Sequence, residues 1–73
     1  MSKPAKELIA MLREIRIEKG MSQEAVAGLT GLGLVQIWNW ENNKTCPTLA
    51  NAIRWADVLG YELELMLKEP ANV

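Results

Sequence analysis

Helix-breaking residues recur so often along this chain that only short helices fit between them. Gly20, the pair Gly31 and Gly33, the run Asn42-Asn43-Lys44 followed by Pro47, and Gly60 cut it into pieces too short to be stable alone. Four of these pieces carry apolar residues at helical spacing. Ala5 to Lys19 places Leu8, Met11, Leu12 and Ile15 on one face, with Pro4 suited to its start and Gly20 to its end. Ile9 and Ile17 fall off that stripe, either as plain exposed apolar residues or as part of a contact with another chain. Ser22 is an N-cap for a second helix to about Leu29, with Val26, Ala27 and Leu29 able to face a core. Thr30-Gly31 ends it, and Gly31 can take the left-handed conformation of a tight turn. A third helix runs from about Leu34 to Asn42, with Gly33 at the N-cap. A fourth starts at Thr48 and ends at Gly60, with Leu49, Ala52, Ile53, Ala56 and Leu59 as its stripe and Trp55 beside it.

The fifth piece differs in kind. From Tyr61 to Lys68 the residues alternate: Tyr61, Leu63, Leu65 and Leu67 share one face, and Glu62, Glu64 and Lys68 the other. Period two is a strand pattern, and a short amphipathic helix is the alternative. A lone strand in a helical domain has two unpaired edges, and the simplest partner is the same strand of a second copy. The expected fold is therefore mainly α: a bundle of four helices with a C-terminal β-strand pairing across a homodimer. Residues 1–69 form one domain that includes the dimerising strand 61–68, and 70–73 form a disordered tail.

Size makes the second copy more pressing. With 73 residues the chain has room for one modest core, although a hydrophobic fraction of 49% argues for a folded state. Cys46 is the only cysteine, so no disulfide can form within the chain, and a lone thiol fits a reducing cytoplasm. There is no histidine, and with no soft ligands beside Cys46 a zinc site is not expected; no cofactor is expected either. By elimination, dimerisation supplies the missing stability. The longest early apolar run, Leu8 to Leu12, is too short for a signal-peptide core or a membrane span, so a cytoplasmic protein with no membrane partner is expected. An enzyme is not expected, because no nucleophile stands at useful spacing from a base and no glycine-rich phosphate loop is present.

The spacing of Gln23, Ala27, Gly31, Ile37 and Glu41 carries the most specific signal. A small residue at Ala27 lets two helices approach at a steep angle. Gly31 makes the short turn between them. Ile37 and Trp40 fall on one side of the third helix, close to Glu41, and a half-buried Glu41 needs a partner. The opposite side carries Val35, Trp38, Asn39 and Asn42, flanked by Leu34 and Gln36.

Over roughly residues 8–60 this combination resembles the Cro/CI-type (XRE, lambda-repressor-like) helix-turn-helix family: Ser22-Gln23, Ala27, Gly31, Leu32 and Ile37-Trp38-Asn39-Trp40-Glu41 follow its pattern. The resemblance implies that the third helix lies in the major groove of double-stranded DNA. It pairs Glu41 with Arg16 and places Leu34, Val35 and Asn39 at base-reading positions. There Asn39 can form a bidentate pair with adenine, and Leu34 or Val35 can pack on a thymine methyl. Gln23 and the helix N-terminus it opens can hold a phosphate, and Asn42, Asn43, Lys44 and Thr45 match the family's backbone-clamping loop. Leu34 and Val35 depart from the polar residues usual near the start of the reading face, and Trp38 stands where a small polar residue is common. Trp38 can pack on sugar and methyl groups, anchor a protein partner, or fill a gap beside the core. Trp40-Glu41-Asn42-Asn43, Thr48-Leu49 and Leu59 to Leu65 also resemble HipB-type antitoxins, in which a strand after the last helix pairs across a dimer.

Charge fits this reading only in its distribution. The net charge is −1, whereas DNA-binding domains are usually basic. Residues 1–56 carry seven Lys/Arg against five Glu, while residues 57–73 carry Lys68 against Asp57, Glu62, Glu64 and Glu69, so the acid sits at one end. The expected function is a sequence-specific DNA-binding transcriptional regulator, a phage or prophage Cro-like repressor acting as a dimer on an operator. The alternatives are an antitoxin-type autorepressor that binds a toxin, and a protein-interaction module that no longer reads DNA.

Overall fold

A computed structural model describes residues 2–64, which form four helices: α1 (Lys3–Glu18), α2 (Gln23–Thr30), α3 (Leu34–Glu41) and α4 (Leu49–Val58). α2 packs against both α3 and α4, and α1 packs against α3. No strand occurs among the described residues. Of the expected strand, residues 61–64 are irregular; Leu65, Leu67 and Lys68, with the tail 70–73, lie outside the described residues. No described helix is long and apolar enough to cross a membrane.

Local chemistry fixes the helix ends. Ser2, Ser22 and Thr48 each accept a backbone N–H of the first turn, from Ala5, Ala25 and Asn51 respectively. α1 thus begins two residues before Ala5, because Ser2 caps it and Pro4 is tolerated in a first turn that needs no N–H from it. Glycine at the α3 N-cap brings no side chain. There Gln36 reaches back instead, and its amide oxygen accepts the Gly33 N–H at 3.2 Å. α1, α3 and α4 all end in the same way. The N–H two residues past the cap returns to a carbonyl inside the last turn: Met21 to Arg16, Lys44 to Asn39, and Tyr61 to Ala56. This closure needs a left-handed residue, which Asn43 supplies at φ 58° after α3. Gly31 supplies the same conformation at φ 74° in the short α2–α3 turn.

The core is built from Ile9, Leu12, Val26, Ile37, Trp40, Trp55, Ala56 and Leu59, with Trp40 and Trp55 tilted against each other at 6.0 Å between ring centroids. Several stripes are rotated from the sequence expectation. In α1, Ile9 and Leu12 are buried while Met11 is exposed, because Arg16 must also face inward and turns the helix toward the Ile9 side. In α2, Thr30 is buried and Leu29 exposed; the Thr30 hydroxyl donates to the Val26 carbonyl at 2.7 Å and accepts the Leu32 N–H, so its burial leaves no polar atom unpaired. In α4, Trp55 lies at the centre of the buried face between Ala52 and Ala56, and Leu49 and Ile53 point outward. A tryptophan fills the space that the alanines leave, so the bulkier aliphatic residues are displaced to the surface.

Candidate nucleic-acid interface

A polar knot beneath the α2–α3 pair sets how the two helices cross. The Arg16 guanidinium donates to Glu41 through Nε (to Oε2, 2.8 Å) and Nη2 (to Oε1, 2.8 Å), a two-pronged pairing. Its third nitrogen, Nη1, donates to the Met21 carbonyl at 2.8 Å. Gln23 Nε2 donates to Glu41 Oε1 at 3.1 Å. The Glu41 side chain is 2% exposed and that of Arg16 11%. One carboxylate therefore ties together α1, the α1–α2 turn, the first residue of α2 and the last of α3. A buried charge with its bonds satisfied is costly to orphan: removing one partner of such a pair costs roughly 3–5 kcal/mol.

Gln23 thus has an inward task that the sequence did not reveal. A carboxylate only accepts, so the Gln23 amide turns its nitrogen toward Glu41. One N–H and the carbonyl oxygen remain for contacts outside. The signal was available: Gln23, Val26, Ala27 and Thr30 share one face of α2, and that face is the buried or half-buried one.

The outward side of α3 is unusually apolar. Val35 is 71% exposed, Trp38 47% and Leu34 42%. With Gln23 they line an open concavity of about 270 Å³. Asn39 lies half-buried one turn further along, and Gln36 is exposed but engaged in the N-cap bond to Gly33. Asn42 is also partly engaged, since its side-chain N–H₂ donates to the Trp38 carbonyl at 2.8 Å. Asn43, Lys44 and Thr45 follow as exposed residues, their backbone folded back by the closure at the end of α3.

Two cations missing from the sequence reading join this edge. Lys6 and Arg13 line a second concavity, of about 330 Å³, together with Asn42 and Asn43, and Glu41 lies at its wall. Arg13 Nε is 3.6 Å from Glu41 Oε1, with its side chain half exposed. The signal for Arg13 was its position three residues before Arg16, which places both on one side of α1. Tyr61 is exposed, whereas Leu63 is half-buried against the core. Leu63, Glu64, Leu49 and Ile53 line a third, mostly apolar groove on the α4 side.

A protein-family model described as Helix-turn-helix matches residues 12–66, well over half of the chain. A comparison with curated proteins finds no match.

Proposed function

The chain belongs to the helix-turn-helix family of XRE-type DNA-binding transcription regulators, and we propose that it is a Cro-like repressor that binds an operator as a homodimer. The observation that carries this reading is the pairing of α2 and α3 around the buried Arg16–Glu41–Gln23 knot. The knot holds α3 with Val35, Trp38 and Asn39 outward and leaves the opening of α2 and the Asn43–Thr45 loop on either side of it. In this reading α3 enters the major groove. Asn39 pairs with an adenine edge, Leu34, Val35 and Trp38 face the groove floor and wall, and Gln36 lies at the flank. Gln23, Asn42, Asn43, Lys44 and Thr45 fix the register on phosphates. The chain performs no chemistry on its ligand and represses by occluding a promoter.

The dimer part of the proposal rests on the α4 side. Leu49, Ile53 and Tyr61 expose apolar surface next to Leu63, and the alternating pattern continues in the sequence through Leu65 and Leu67. To read two half-sites, such a dimer must hold its two α3 helices about 34 Å apart, one turn of DNA.

The test is a gel shift of the full chain with the DNA upstream of its own coding region, at two salt concentrations. Binding that weakens steeply with salt, together with a dimer in sedimentation, is the expected result. No retardation at low salt would overturn the regulator reading, and a monomer on DNA would overturn the dimer alone.

A further inference from the structure

α1 carries a basic edge that the DNA contacts proposed above leave unused. Lys6 and Arg13 are seven residues apart, two turns of the helix, so both lie on one side of α1. They line the concavity of about 330 Å³ that α1 forms with Asn42 and Asn43 at the end of α3. We propose that this concavity holds a phosphate of the DNA backbone, so that α1 grips the duplex alongside the loop after α3. The inference rests on the DNA-binding reading and adds to it a site on another helix. Lys6 and Ala10 lie ahead of the residues 12–66 that match the family model, so the match does not account for this site.

Shape, charge and donors all favour a phosphate. Ala10 stands between Lys6 and Arg13 on that side of α1, and its small side chain leaves room between the two longer ones. Glu41 at the wall is 2% exposed and already paired with Arg16, so it offers no free negative charge. Among the lining residues, Lys6 and Arg13 then stand against Glu14 alone, which leaves the concavity one charge positive. Arg13 is half exposed, and its Nε approaches Glu41 Oε1 only to 3.6 Å, beyond hydrogen-bond length. Its guanidinium therefore keeps donors to give. The Asn42 side chain spends one N–H on the Trp38 carbonyl and has a second, and Asn43 is exposed beside it. Ammonium, guanidinium and amide N–H groups are the side-chain donors that phosphate oxygens take in protein–DNA contacts. Continuity points to the backbone of DNA as the source. Asn42 and Asn43 belong both to this concavity and to the stretch placed on phosphates above, so one strand can pass from the loop onto α1.

The experiment selects duplexes from a random DNA pool with the full chain. It then measures Kd for a selected duplex and for an unrelated one across a salt series. Lys6→Gln and Arg13→Gln should each weaken both duplexes by the same factor. Each should also lower the slope of log Kd against log salt by about one for each bound protomer. Glu14→Gln should tighten both duplexes. Ala10→Leu separates a site from a diffuse field, because it keeps every charge, suits an exposed helix position and fills the space. It should weaken both duplexes, with Tm unchanged in this variant and in Lys6→Gln. An Ala10→Leu chain that binds like the unaltered one would overturn the site. A loss in the charge variants alone is then a long-range field, and no loss in either puts the concavity off the DNA, with the regulator reading left standing. A loss confined to the selected duplex would replace the phosphate by a base edge and also overturn the assignment. If the unaltered chain enriches no duplex even at low salt, the assignment falls together with the regulator reading.

Discussion

The two sides of α3 invert the usual order of a surface helix. Within eight residues the inward side buries a carboxylate, Glu41, beside Ile37 and Trp40, and the outward side exposes Leu34, Val35 and Trp38. A helix that only needed to fold would do the reverse. The inward charge has all its partners inside the chain, in Arg16 and Gln23. The outward apolar residues have none. Polarity inside and apolarity outside therefore mark different demands: the first ties α2 and α3 together, and the second is not spent on the fold.

The sharpest way to break this contrast is Glu41→Ala. It leaves the Arg16 guanidinium buried without its counter-charge, and the expected loss is roughly 3–5 kcal/mol of unfolding free energy. That is a large share of what a domain this small possesses. Urea denaturation followed by circular dichroism measures it, and an unchanged midpoint would mean that the knot does not organise the fold. Next in size is Asn39→Ala, whose effect falls on binding. Loss of a bidentate base contact should weaken the selected site by about 1–3 kcal/mol. Binding to unrelated DNA should change little, and equal losses on both would remove Asn39 from base readout.

How much of this was legible in the sequence follows the same division. The caps Ser22 and Thr48 and the turn at Gly31 could be named beforehand, because each depends on residue type and spacing, whereas Arg16 was named as the partner of Glu41 through the family resemblance alone. The rotation of the helices could not. Met11 and Ile9 are both apolar and flank the Leu8, Leu12 and Ile15 stripe of α1 from opposite sides, and the choice of Ile9 for the core depends on where Arg16 is drawn by a residue twenty-five positions away. Leu29 and Thr30 were misassigned for a related reason: hydrophobicity favours leucine, but a threonine hydroxyl bonded to Val26 and Leu32 can be buried without penalty. Ser2 was missed as a cap because Pro4 reads as a first helical residue, and a first turn tolerates proline beyond its first position. In the candidate site, periodicity puts Val35, Trp38 and Asn42 on a side of α3 that is exposed, while Asn39 on the same side is half-buried. The wheels of α2 and α1 put Gln23 on the buried face and Arg13 on the side of Arg16, but the partners these residues meet, Glu41 for Gln23 and Asn42 and Asn43 for Lys6 and Arg13, come from packing between helices, which no single wheel contains.

The end of α3 tests whether that helix depends on its own closure. Asn43 holds a left-handed backbone that asparagine tolerates better than most residues. Asn43→Ala should cost on the order of 1 kcal/mol, whereas Asn43→Gly should be close to neutral in the same melt. If alanine and glycine behave alike, the left-handed turn does not limit the stability of α3, and the Lys44–Asn39 backbone bond is a consequence of the fold more than a cause.

The smallest effect is the one that most sharpens the comparison. Val35→Ser removes an apolar side chain from the outward face, two residues along α3 from the fully buried Ile37. Serine and valine have similar helix propensities, and the side chain is mostly in water, so stability should change by less than about 0.5 kcal/mol. Ile37→Val, which deletes one methylene on the inward face, should cost about 0.5–1.5 kcal/mol despite being the milder chemical change. Thermal melts of the two variants side by side decide the matter. Should Val35→Ser prove the more destabilising, the outward face is part of the folded core of a larger assembly, and its exposure in the single chain marks an interface between protein chains in place of one with DNA.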